Sequence, residues 1–226
     1  EEIFSILSLD EKIDKIIIQF GEFYESARNA MALRSSDELY NTDGINKRYE
    51  DYFSSIIKGK YLRSDSKDWI EMDRGRIEVS KASSGQQEAL PLLFALSRYP
   101  RPKRSLIIEE PEAHLFPDAQ VKILDFIVRQ TLSRRTNILI TTHSPYILSA
   151  LNNQILKVKI HTEKNTEVKI RNLLTSDKVK CYCIQRGLVK SIVDKETGLI
   201  NADYIDSISE VIFKEFNLLM ENFDEI

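Results

Sequence analysis

Apolar residues recur every three to four positions near the start of the chain, at Ile13, Ile16, Ile17 and Phe20. That spacing puts them on one face of a helix, and Asp10 stands where an N-cap belongs. Helical spacing returns at 22–33 and 45–57, with a polar stretch at 35–44 between them, so residues 3–60 are predicted to be mainly helical. Residues 60–63, 69–72 and 76–79 then change character: they are short β-type runs divided by the polar 64–68 and by Asp73-Arg74-Gly75, which has turn composition. From Ser83 onward helices and strands alternate, with helices at 86–97, 118–132 and 146–151 and strands at 106–108 and 138–141. Such alternation predicts an α/β fold with a mostly parallel sheet flanked by helices. A hairpin of 155–160 with 167–171 follows, then strands at 181–185 and 189–193 and a helix over 202–220. The predicted organisation is a helical subdomain at 1–58 and an α/β lobe at 59–226.

Composition narrows the class. The chain has 226 residues, of which 42% are hydrophobic, enough for a sizeable core; seven glycines and six prolines exclude a fibrous or disordered type. Opposite charges nearly cancel at −3, which excludes a global basic coat for nucleic acid. One basic group is local: Arg98, Arg101, Lys103 and Arg104, interrupted by Pro100 and Pro102. It reads either as a solvated loop or as a phosphate-backbone contact. Cys181 and Cys183 flank Tyr182 in a predicted strand, so both face one side and are expected to be free, buried or half-buried thiols. No apolar run reaches the roughly 18–20 residues needed to span a bilayer, and no signal peptide opens the chain. A reduced, cytoplasmic protein without a membrane partner is expected. Opening on Glu1-Glu2 without methionine, the chain also reads as a piece of something longer.

Three segments carry chemistry. In the first, the apolar run Leu106-Ile107-Ile108 ends in Glu109-Glu110, followed by Pro111, Glu112 and His114. Desolvating an unpaired carboxylate is costly, so adjacent carboxylates at a strand's carboxyl end point to a metal ion and a water molecule. The second is Ala82-Ser83-Ser84-Gly85-Gln86-Gln87 ahead of an apolar helix. Ser84 and Gln87 have capping-box spacing, and the hydroxyls, glycine and helix start together suit an anion. Pro91 within this helix predicts a bend near 87–89. In the third, the strand at 138–141 runs into Thr142-His143-Ser144-Pro145, where a histidine can hydrogen-bond a phosphate oxygen or an attacking water. Alone, each has a plain structural reading: an acidic turn, a capped helix, a satisfied histidine.

Together and in this order, the three resemble the C-terminal half of an ATP-binding-cassette ATPase: signature motif, Walker B, D-loop and switch histidine. Glu109-Glu110-Pro111-Glu112-Ala113-His114-Leu115-Phe116-Pro117 and Thr142-His143-Ser144-Pro145 resemble the RecF, SMC and OLD branch more than transporters. The resemblance implies that Glu109 holds Mg²⁺ through water and that Glu110 polarises the attacking water. It makes His143 the switch histidine near the γ-phosphate. Glu112 and His114 fall in the D-loop, and Ser83, Ser84, Gly85 and Gln86 in the signature that caps ATP held by a second subunit. Ala82 and Ser84 depart from the usual L-S-G-G-Q. ATP and Mg²⁺ are the implied cofactors and a homodimer through the ATP sites the implied assembly. DNA and a separate nuclease are compatible partners; a built-in nuclease is not, since few residues follow Cys181 and they hold no D-x-D pair.

One expected part is missing. None of the seven glycines, at 21, 44, 59, 75, 85, 187 and 198, begins a G-x-x-x-x-G-K-[ST] loop. Without that phosphate cradle the main affinity for ATP is absent. The expectation is therefore the C-terminal part of an ATPase, partnered by an N-terminal P-loop lobe of the same protein and inactive alone. The role expected for the whole is ATP-driven dimerisation that powers a DNA-repair or antiphage-defence machine. The competing readings are a non-catalytic interaction or regulatory module of the same fold, and a metal-dependent hydrolase using Glu110, His114 and His143.

Overall fold

The computed structural model describes residues 15–36, 45–64, 67–163, 174–201, 211–217 and 220. The chain divides into two compact units, Glu1–Ile140 and Thr141–Ile226.

In the first unit, α1 (Lys15–Ser36) and α2 (Ile45–Ile57) precede a meander of β1 (Lys60–Ser64), β2 (Lys67–Met72) and β3 (Gly75–Glu78). The three strands pair antiparallel, with Tyr61 opposite Ile70 and Ile70 opposite Ile77. Gly75 has a φ of +136°, the conformation glycine permits, where the chain turns after Asp73-Arg74. Then come α3 (Ser84–Arg98), β4 (Ser105–Glu109), α4 (Pro117–Arg134) and β5 (Asn137–Thr141), with β4 and β5 paired in parallel. The expected α/β architecture with a parallel pair flanked by helices is thus present.

Periodicity explains which faces are buried. Phe53, Ile56 and Ile57 of α2, Leu90, Leu93 and Phe94 of α3, and Ile123, Phe126 and Ile127 of α4 share one core. The i, i+3, i+4 spacing in each helix puts these side chains on one stripe. Phe94 is fully buried among Tyr24, Phe53 and Tyr61, with ring centroids 5.0–5.9 Å away. Burying each such side chain stabilises the fold by roughly 1.5–3 kcal/mol before conformational entropy is subtracted. A polar clasp ties α1 to the meander: Arg28 pairs with Asp68 at 2.7 Å and with Glu25, while the Tyr61 hydroxyl donates to Asp68 at 2.6 Å. Burial pushes the Tyr61 hydroxyl well above its ordinary range, so it stays protonated and able to donate.

The β4–β5 pair is covered on one face. Leu106, Ile108, Ile138 and Ile140 pack on the core, whereas Ile107 is 70% and Leu139 58% exposed.

In the second unit, α5 (Pro145–Glu163) and the hairpin β6 (Tyr182–Gln185)–β7 (Leu188–Ser191) surround a small cluster of Leu148, Ile192 and Ile200. Arg186 and Gly187 both have positive φ, 50° and 77°, matching the twist of a two-residue hairpin turn. Asn152 clamps the backbone of Ile200 at both ends, at 2.7 and 2.8 Å. Cys181 and Cys183 are free and half-buried against the same cluster, as expected.

Four expectations are corrected. From Lys15 onward the two helical stretches expected before and after Gly21 are one helix, α1, which runs through a buried Gly21. The short helix at 146–151 extends to Glu163 and absorbs the strand expected at 155–160. Leu148, Leu151, Ile155 and Val158 recur at helical spacing, and Ile155 is fully buried, so tertiary burial selects the helix. The helix at 86–97 begins earlier, at Ser84, and continues through Pro91 to Arg98. Of the loop expected at 35–44, Ser35 and Ser36 are instead the end of α1, and 37–44 lie outside the described residues, as do Asp10, the strand at 167–171 and residues 202–210 of the last helix; 211–217 are helical.

Candidate active site

Strand β4 ends at Glu109, and Glu110 takes a left-handed conformation with φ of 43°. Strand alternation stops at that residue, so two neighbouring carboxylates, both exposed, stand at the carboxyl end of a parallel strand. A non-glycine residue there costs on the order of 1 kcal/mol or more, a cost that clusters at functional positions. The turn is closed by Ala113 N–H donating to the Glu110 carbonyl at 2.9 Å. Leu115 N–H donates to the Glu112 carbonyl at 3.0 Å, and His114 is also left-handed, with φ of 57°. Pro111 and Glu112 are buried and anchor the loop, while Pro117 at the first turn of α4 ends it. Lys58 pairs with Asp118 in that first turn and holds its carboxyl below the usual range through a direct hydrogen bond.

This loop is seated on the start of α3. A Cβ built on Gly85 would overlap the His114 carbonyl oxygen and stand 3.1 Å from the carbonyl carbon. Only a glycine lets the two backbones meet so closely. One turn along, Glu88 Oε2 lies 3.0 Å from His114 Nδ1. Gly85 and His114 are therefore brought together, although they are far apart in the chain.

The capping box is one residue earlier than expected. Ser83, not Ser84, is the N-cap: its hydroxyl accepts from Gln86 N–H at 3.4 Å, and Gln86 Oε1 accepts from Ser83 N–H at 3.1 Å. Gln86 Nε2 also donates to the Ile57 carbonyl at 2.7 Å, which ties the end of α2 to the start of α3. Gln87 instead donates to the Ala82 carbonyl at 2.8 Å. Of the four positions expected to form the signature, Ser83, Gly85 and Gln86 thus each have a structural task within the chain, and Ser84 is exposed on the first turn.

In the second unit, Ser144 caps α5: its hydroxyl accepts from Tyr146 N–H at 3.1 Å and from Ile147 N–H at 3.4 Å. Ser144 N–H donates to the Thr142 hydroxyl at 3.0 Å, and His143 between them is exposed. Among the described residues no group of three or more His, Cys, Asp or Glu could hold a metal ion. A Mg²⁺ that keeps its waters and takes one carboxylate plus phosphates needs no such cage, so the exposed Glu109-Glu110 pair fits that mode. His114 is engaged by Glu88 rather than grouped with further ligands. No described helix is long and apolar enough to cross a membrane.

Sequence reasoning missed Glu88 as the partner of His114 and Ile57 as the acceptor for Gln86, because neither pairing leaves a local signal. Gly85 was legible as part of a motif but not as a packing requirement.

Comparison with known proteins gives the class of the chain. The chain is 35% identical over 89 residues to the phosphate import ATP-binding protein PstB of Aeropyrum pernix, covering 39% of this chain and 34% of that protein. It thus spans about a third of that relative's length. That match is to an import ATPase rather than to the RecF, SMC or OLD branch. A solved chain from work on "ATP-driven dimerization and DNA stimulated activation of SMC ATPases" aligns with a TM-score of 0.43 at 10% identity, covering 75% of this chain and 91% of that one. A family model described as "AAA domain, putative AbiEii toxin, Type IV TA system" matches residues 5–149, which include residues 82–87, the acidic strand end and His143. The chain belongs to this ATPase-type AAA-domain family.

Proposed function

We propose that this chain is the hydrolytic half of an ATP site, with Glu110 as the residue that orients and deprotonates the attacking water. The observation that supports the reading is the left-handed turn at Glu110 directly after the strand-final Glu109, with both residues exposed at a parallel strand's end. Glu109 would hold Mg²⁺ through its waters; the ion, when bound, neutralises charge on the β- and γ-phosphates. His143 would donate to the γ-phosphate, an assignment that rests on its place in Thr142-His143-Ser144-Pro145. Ser84, with the first backbone N–H groups of α3, would cap the γ-phosphate of ATP held by a second copy, making the active form a dimer. Glu112 and His114 would seat the D-loop on α3, since the Gly85 contact and the Glu88 pair fix that loop.

The phosphate cradle would come from a P-loop lobe outside these residues. Parallel strands are ordinarily covered on both faces, and the open face carrying Ile107 and Leu139 supports a reading in which that lobe completes the sheet. The assembled protein would use the hydrolytic cycle to drive a DNA-repair or defence machine. The family description, which names a toxin of a Type IV TA system, supports the defence arm. The test is E110Q in the assembled protein. Retained ATP binding, a trapped dimer and turnover lowered by about 10²–10⁴ support the reading. Unchanged turnover, or wild-type protein that hydrolyses nothing, favours the non-catalytic module.

A further inference from the structure

The fold gathers two separate basic segments at the amino end of the β4–β5 pair. The end of α3 and the loop entering β4 carry Arg98, Arg101, Lys103 and Arg104, and the end of α4 and the turn entering β5 carry Arg134 and Arg135. Two hydrogen bonds hold these segments side by side: Thr136 Oγ1 donates to the Arg101 carbonyl at 2.9 Å, and Asn137 N–H donates to the Arg104 carbonyl at 3.0 Å. Neither segment contains an acidic residue. Arg134 reaches the Tyr49 hydroxyl at 3.5 Å, while among the described residues no carboxylate pairs with Arg98, Arg101, Lys103, Arg104 or Arg135. All five of these are exposed.

Two of the cations sit where the backbone prefers glycine. Lys103 has φ of 62° in the turn closed by Arg104 N–H on the Arg101 carbonyl, and Arg135 has φ of 52° at the C-cap of α4. Glycine is the usual residue at such positions. A long cation at each of these tips is less favourable for the backbone than glycine.

From this cluster we infer a docking surface for the phosphate backbone of double-stranded nucleic acid, at the opposite strand end from Glu109 and independent of the ATPase reading. Five of the six cations are arginine, whose planar fork matches phosphate oxygens. A membrane surface would call for large apolar side chains beside the charges, and neither segment exposes one. Base stacking on a single strand would call for a free aromatic ring. Tyr99 is half-buried, packs on Phe23 with ring centroids 5.1 Å apart and donates its hydroxyl to the Phe23 carbonyl. The contact left to these side chains is to phosphates, without base readout.

The test is fluorescence anisotropy of the full chain with a labelled 30-base-pair duplex across a salt series. The variants are K103G/R135G, R101E/R104E and a control, K180E/K195E, which alters charge in the second unit. Glycine suits the two backbone positions, so K103G/R135G folds at least as well as wild type and separates charge from folding. The surface predicts that its log–log salt slope shrinks by about 0.9 for each cation removed, with affinity at least tenfold weaker at low salt. R101E/R104E loses more, and the control keeps the wild-type slope. Any of four results would overturn the inference: no duplex binding by wild type, an unchanged slope in K103G/R135G, an equal loss in the control, or tighter binding to a single strand or to phosphatidylserine vesicles than to the duplex.

Discussion

The Gly85 α-carbon faces the His114 carbonyl so closely that a methyl group has no room between them. This contact makes Gly85 a packing residue whatever part it takes in a motif. It also couples the start of α3 to the loop that carries Glu110. Replacing Gly85 with alanine should push the 110–115 loop away or strain α3, destabilising the fold by about 1–3 kcal/mol. Urea denaturation of G85A against wild type checks this. S84A, at an exposed position, should unfold at the same urea concentration as wild type.

The corrected capping box gives a second contrast. S83A removes the N-cap hydroxyl of α3 and should cost about 1 kcal/mol. S84A should cost almost nothing in the same assay. The reverse ranking would restore the Ser84–Gln87 box.

Glu110 separates chemistry from folding. Glycine tolerates its left-handed φ better than glutamate does, so E110G should stay within about 1 kcal/mol of wild type in stability. Turnover by the assembled E110G protein should nonetheless fall by about 10²–10⁴, the size expected for a lost general base. Paired thermal melts and phosphate-release assays read both quantities from one preparation.

Asp118 links pH to the first turn of α4. Its folded-state pKa is lowered below the unfolded value of 3.8, so the Lys58 pair contributes above that value and is lost as pH falls through the folded one. K58M should raise the Asp118 pKa toward its ordinary value in a carboxyl NMR titration. An unmoved titration would show that Lys58 does not hold it.

Cys181 should be a slow thiol. Burial pushes its pKa above the ordinary value, so the folded chain favours the protonated form and loses that preference only as pH rises into the alkaline range. At pH 8, iodoacetamide should label Cys181 several-fold more slowly in the folded chain than in urea, as read by peptide mass spectrometry. Equal rates would contradict this.

Local patterns in the chain disclose its elements well where one period dominates. The stripe Phe53, Ile56 and Ile57 and the meander at 60–79 are examples. They mislead where two periods overlap. Leu156-Lys157-Val158-Lys159-Ile160 alternates like a strand, yet Leu148, Leu151, Ile155 and Val158 supply a helical stripe, and burial of that stripe decides. The capping box slipped by one for a similar reason, since Ser83–Gln86 and Ser84–Gln87 both have the spacing. The acidic strand end was legible because two adjacent carboxylates break off an apolar run; both are exposed in the structure, so their place at the strand's end marks them and not a desolvation cost. Its seat on Gly85, the Glu88–His114 pair and the joining of the two basic segments were not, because backbone contacts between distant residues leave no mark in composition or period.

The central claim, that Glu109-Glu110 is the hydrolytic half of an ATP site completed by a P-loop elsewhere, is tested most directly by phosphate release from [γ-³²P]ATP. The assay compares the assembled protein with the 226-residue chain alone, each as wild type and as E110Q. The account predicts turnover only by the assembled wild type, lost in E110Q. Glu110-dependent turnover by the chain alone, or an assembled E110Q protein as fast as wild type, would contradict it.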